Sequence, residues 1–124
     1  MPQFSTAEKI HIGTMTSKFP DTNRSDVILE LTITSNGNGV SHALVAFYIT
    51  NSNQFKYDIL YSFGLILDNI IKYKVVGKSV DFYCNRSGIK LLVKPFSVGS
   101  NTLFTLDMST ISSLPEDVQD VIIE

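Results

Sequence analysis

The sequence is short of several residue types at once: one cysteine, no tryptophan, four prolines, two histidines and three alanines in 124 residues. The single thiol, Cys84, has no partner for an intramolecular disulfide and cannot supply the repeated thiolates of a structural zinc site. Stability must then come from packing. Scarce alanine weighs against helices. No apolar run approaches the roughly 18 residues of a membrane-spanning helix. The start, Met1-Pro2-Gln3-Phe4-Ser5, lacks the basic-then-apolar order of a signal peptide. The expectation is a soluble chain made in the cytoplasm without membrane insertion, in which the sequons Asn23-Arg24-Ser25 and Asn85-Arg86-Ser87 carry no glycan. Charge is sparse too: ten basic and twelve acidic residues give a net charge of −2 and a pI near 5.6. That balance argues against a binder working by phosphate neutralisation, so no nucleic-acid partner is expected.

What is present favours strands. Apolar residues make up 44% of the chain, and the totals include 13 Ile, 10 Val, 10 Thr and 13 Phe or Tyr, the β-branched and aromatic types that fit a pleated, half-buried surface. Turn chemistry recurs about every ten residues: Phe19-Pro20-Asp21-Thr22-Asn23, Ser35-Asn36-Gly37-Asn38-Gly39, Asn51-Ser52-Asn53-Gln54, Gly77-Lys78, Asn85-Arg86-Ser87-Gly88 and Ser97-Val98-Gly99-Ser100-Asn101. The segments between predict strands at 8–17, 25–35, 40–50, 55–67, 70–76, 79–84, 88–96 and 102–108. The length suits one domain. The fold expected is therefore all-β, a single-domain antiparallel β-sandwich, jelly-roll-like with about eight strands, spanning 1–124 with loose ends at 1–7 and 119–124. Pro115 and the acids after it read equally as a helix start, a single turn or a loose tail.

Alternation assigns faces. In 25–35, Val27, Leu29, Leu31 and Ile33 share the core side, opposite Asp26, Glu30, Thr32 and Thr34. In 79–84, Val80, Phe82 and Cys84 oppose Asp81 and Tyr83, which buries the thiol. Strand 40–50 is apolar on both sides, with Val45, Phe47 and Ile49 alternating with Leu44, Ala46 and Tyr48, so a partner subunit is expected over Val45, Phe47, Tyr48 and Ile49. In 55–63, Phe55, Tyr57, Ile59, Tyr61 and Phe63 fall on one side, either as ordinary core or as an oligomer interface or ligand platform.

Catalytic patterns are weak. Cys84 lies on an apolar face where a thiolate is costly, and His11, between Ile10 and Ile12, points to the wet side, which separates it from the thiol. His42 has no carboxylate at ligand spacing, so no metal is expected. Asp58 and Asp81 read as solvated strand positions rather than a glycosidase pair. The glycine turns lack the lysine and helix of a phosphate loop. Lys72, Lys74, Lys78, Lys90 and Lys94 read as edge-strand lysines. No enzyme activity and no cofactor are expected.

Read end to end, roughly residues 8–118 resemble the C-terminal head domains of bacteriophage and prophage tail fibres and baseplate receptor-binding proteins. The carrying segments are the opening strand Lys9-Ile10-His11-Ile12-Gly13-Thr14-Met15, the strand Ser25-Asp26-Val27-Ile28-Leu29-Glu30-Leu31 with its Asn-Gly turn, Val80-Asp81-Phe82-Tyr83-Cys84, and Leu103-Phe104-Thr105-Leu106-Asp107-Met108 followed by Leu114-Pro115. Cys84 and Asn85 stand where such heads usually carry a hydrophobe and Lys, and no shaft precedes residue 8, which implies an excised head or a small separate protein of similar fold. The resemblance implies a homotrimer at the virion tail tip that binds a host cell-surface saccharide or protein, alongside other virion tail proteins. For a saccharide, outward aromatic and amide groups are needed; the candidates are Tyr57, Tyr61, Tyr73, Tyr83, Asn53 and Asn85. The competing expectations are a structural virion assembly, decoration or adaptor protein without glycan binding and, last, a small hydrolase or lyase.

Overall fold

The computed structural model describes residues 3–5, 9–18, 25–35, 39–50, 54–64, 70–86 and 89–123. Among the described residues ten strands form: β1 (Gln3–Ser5), β2 (Lys9–Ser17), β3 (Ser25–Ser35), β4 (Gly39–Ile49), β5 (Phe55–Phe63), β6 (Ile71–Val76), β7 (Ser79–Asn85), β8 (Ile89–Val98), β9 (Thr102–Thr110) and β10 (Gln119–Asp120). Each of the eight expected strands has its counterpart in β2 to β9. Among the described residues there is no helix; the segment after Pro115 makes a turn at 116–117 and then extends into β10.

Pairing is antiparallel throughout, in two five-stranded sheets of order β1-β8-β3-β4-β5 and β10-β6-β7-β2-β9. The chain is all-β, as its composition requires. In the first sheet β3, β4 and β5 follow one another as hairpins and β8 returns beside β3, the Greek-key order. The jelly-roll expectation holds at the level of a two-sheet sandwich, with this Greek key as its strand order.

The two inner faces close on one core. Val27, Leu29, Leu31 and Ile33 meet Val80, Phe82, Cys84, Ile10 and Met15, and the rings of Phe47 and Phe82 lie 4.6 Å apart between centroids across the sandwich. Cys84 is buried, as alternation predicts. The end of the chain departs from the loose tail expected at 119–124. Gln119 and Asp120 pair with Tyr73 and Lys72, the Val121 amide donates to the Ile71 carbonyl at 2.8 Å, and Val121 and Ile123 are buried. The Ile122 amide donates to the Tyr57 hydroxyl at 3.0 Å, so this strap ties the β6 side of one sheet to the β5 side of the other.

Register shifts occur at three places: on β8, where Phe96 is extra between the Ser97–Ile28 and Pro95–Leu29 pairs, on β5, and on β2 with β9. On β5, Ile59 pairs with Val45 and Tyr61 with Leu44, which leaves Leu60 as an extra residue. On β2, Ile12 is extra against β7, while Asp107 and Met108 lie across from it on β9, between the Gly13–Leu106 and His11–Ser109 pairs. Met108 has φ +57°, a left-handed conformation uncommon outside glycine. Gly13 lets the strands close here, since a Cβ at that position would run into the Thr105 carbonyl oxygen and the edge of Phe104.

Candidate functional site

The β5 bulge divides the aromatic row that alternation places on one side. Phe55, Tyr57 and Ile59 turn inward and pack against the core. Tyr61 and Phe63, paired with the outward Leu44 and His42, lie on the outer face of the first sheet, each 55% exposed. Leu60 and Val40 add to that exposed apolar row, and the Tyr61 ring stands 6.1 Å from His42, which shares a 2.9 Å hydrogen bond with Thr32. Strand β4 corrects the expected interface. Val45, Phe47 and Ile49 are 0%, 0% and 6% exposed within the chain's own core, because they pair with the inward residues of β3. Of the four residues expected there, only Tyr48 faces outward, half-buried, its hydroxyl donating to Asp58 at 3.0 Å. That bond holds the phenol above its ordinary pKa, since it is made by the protonated form.

The six expected ligand residues do not converge. Tyr57 and Tyr73 meet, ring centroids 6.3 Å apart, with Phe55 4.6 Å from Tyr73, where β5 and β6 approach across the open side of the sandwich. Tyr61 lies on the first sheet's outer face. Tyr83 faces outward on the second sheet beside His11, ring centroids 5.2 Å apart, yet is only 8% exposed. Asn85 ends β7 with its amide donating to the Ile70 carbonyl at 3.1 Å. Asn53 is outside the described residues.

Tyr73 nevertheless borders a recess of about 300 Å³ with Lys74, Val75, Asp117 and Gln119. The Tyr73 hydroxyl donates to Gln119 Oε1 at 3.1 Å, which leaves the Gln119 carboxamide NH₂ to donate elsewhere. Burial, with a smaller contribution from Tyr57, pushes the Tyr73 phenol above its ordinary pKa, so it is neutral at physiological pH. Asp117 enters the recess from the turn at φ +63°. An aromatic residue, a carboxylate and a carboxamide thus border one recess, while Lys74, in register with the outward Asp81, carries its ammonium on the other face of β6.

The second polar cluster was not expected from the sequence. On the outer face of the second sheet, His11 Nδ1 lies 2.6 Å from Asp107 Oδ2 and Nε2 lies 3.0 Å from Asp81 Oδ1. Thr14 Oγ1 donates to the same Asp81 oxygen at 2.6 Å and stands 3.3 Å from Nε2. Ser109 donates to Asp107 Oδ2 at 2.8 Å. Burial opposes a charge on His11, but the hydrogen bonds to Asp107 and Asp81, and the charges of both, outweigh it and raise the imidazole pKa. Asp107 is lowered, chiefly by its bond to His11 and then by Ser109. With both nitrogens facing carboxylates, the site favours the protonated ring, which donates from both nitrogens. Thr14, His11 and Asp107 stand in the order of a hydroxyl–imidazole–carboxylate relay, but Asp81 accepts from both Thr14 and His11. In the protonated form no imidazole lone pair is left to take a proton from Thr14. Cys84 is remote from this chemistry; burial, slightly offset by Lys72, pushes its thiol up to about 12. Among the described residues no three His, Cys, Asp or Glu side chains are grouped to hold a metal ion.

No protein family, curated protein or solved structure matches this chain.

Proposed function

We propose that the chain is a non-catalytic binding head of the kind found at phage tail-fibre tips, which assembles as a homotrimer at the virion tail and adsorbs to a bacterial cell-surface saccharide. The observation that carries this reading is the recess at β6 and the C-terminal turn. A sugar ring offers a C–H face to an aromatic side chain and hydroxyls to planar amides and carboxylates, and Tyr73, Gln119 and Asp117 border the recess with these groups. Assembly is assigned to the outer face of the first sheet, where Val40, Leu60, Tyr61 and Phe63 form an exposed row without charge, so copies of the chain meet there without like-charge repulsion.

Purified protein applied to bacterial cells and to a glycan array tests the reading. Wild type binds and Gln119→Ala binds much less, both folding normally. Binding that survives removal of surface polysaccharide contradicts the saccharide assignment.

The second reading, a virion assembly or adaptor protein without glycan binding, is favoured by the same exposed apolar row. It predicts capture of a tail protein through Tyr61 and Phe63, indifferent to a change at Gln119.

A further inference from the structure

The paired bulges of β2 and β9 coincide with the ionic cluster on the second sheet, and the binding reading leaves both unused. We propose that His11 is the pin of a pH-sensitive clasp that holds edge strand β9 to β2 across these bulges, closed while the imidazole is protonated and loosened once it is neutral.

The geometry places the need and the device together. Among the described residues β9 is an edge strand paired with β2 alone, and regular pairing stops between Leu106 and Ser109, where the backbone passes through the left-handed Met108. At that interruption Asp107 meets His11 at 2.6 Å. The groups facing the imidazole are Asp81 and Tyr83 from β7, Asp107 and Ser109 from β9, and Thr14 from β2 itself; Lys9 lies two residues away on β2, and Lys74 of β6 is in register with Asp81. Lysine charges disfavour the imidazolium, and the two carboxylates favour it.

A neutral ring has one N–H, so in either tautomer one carboxylate faces a lone pair and the other keeps only an uncharged donor. The two carboxylates are not equally secured after that loss. Thr14 still ties Asp81 to β2, whereas the remaining donor to Asp107, Ser109, belongs to β9 itself. The strand left less tied is β9. The sign follows from the direction of the shift: the raised His11 pKa stabilises the closed form at and below the ordinary imidazole range, and the stabilisation disappears as pH rises through the raised value. Asp107, lowered, stays ionised throughout that interval.

Amide hydrogen exchange at Met108–Thr110, corrected for intrinsic rates between about pH 5.5 and pH 9, tests the clasp. Loss of one charge-assisted bond at a partly exposed pair corresponds to about a tenfold rise in local opening in wild type, with a flat profile in His11→Gln. A wild-type opening that does not change with pH, or the same rise persisting in His11→Gln, overturns the proposal. Should His11→Gln fail to fold, NMR titration of the wild-type imidazole decides: a midpoint above about 6.5 that falls in Asp107→Asn supports the clasp, and a midpoint at or below about 6.5 overturns it.

Discussion

Tyr57 and Tyr61, four residues apart on β5, lie on opposite faces of the first sheet: Tyr57 pairs with the buried Phe47 and Tyr61 with the outward Leu44. The one-residue bulge at Leu60 produces this reversal, because side-chain direction has a period of two and one extra residue moves all that follows to the other face. Stability should divide accordingly. Tyr57→Ala removes packing against Phe47, Phe55 and Tyr73 and the acceptor for the Ile122 amide, at a cost of about 2–4 kcal/mol, whereas Tyr61→Ala changes the stability of one chain by less than about 0.5 kcal/mol. Urea unfolding at low protein concentration checks both; equal losses would place the two rings on one face.

Gly13 stands where β9 leaves β2 no room for a side chain. Its backbone needs no positive φ, so the argument is steric: an added Cβ meets the Thr105 carbonyl oxygen, a backbone atom that cannot swing away. Gly13→Ala is expected to lose at least about 2 kcal/mol, by strand displacement and overpacking. Gly77, at φ +61° with open space around it, isolates the backbone term, and Gly77→Ala should cost about 1–2 kcal/mol. The two unfolding curves separate crowding from conformation.

Cys84 should be chemically silent in the folded chain. Its thiol, pushed up to about 12 by burial, is ionised in roughly one molecule in ten thousand at pH 8, and 1% exposure leaves a reagent no approach. Modification by an aromatic disulfide reagent should track the unfolded fraction as urea is raised. Rapid stoichiometric modification in native buffer would mean that β7 does not present Cys84 to the core.

The difference between what alternation reveals and what it hides is visible in the bulged strands β2 and β5. β3 reads cleanly because Val27, Leu29, Leu31 and Ile33 keep one phase, and it is core as expected. On β2 the buried Ile10, Ile12 and Met15 change spacing from two to three, which is a legible sign of a bulge. On β5 an apolar residue is itself the insertion, so Phe55 to Phe63 keep an unbroken pattern and nothing in the sequence marks the change of face. The same limit explains β4: its two apolar faces are visible, but which of them meets the core depends on register with β3. His11 was legible as outward, while its meeting with Asp81 and Asp107, 70 and 96 residues away, is set by strand order and two registers that no local pattern carries. The short strands β1 and β10 were missed because two or three residues are too few to show a period.

The proposed trimer brings copies of this chain together through the outer face of the first sheet, and mass in solution tests that most directly. Sedimentation equilibrium at micromolar concentration should give three times the 13.8 kDa of one chain, falling to a single chain in Tyr61→Glu with Phe63→Glu while the fold persists. A wild-type mass of 13.8 kDa at that concentration, or a trimer indifferent to both substitutions, would contradict it.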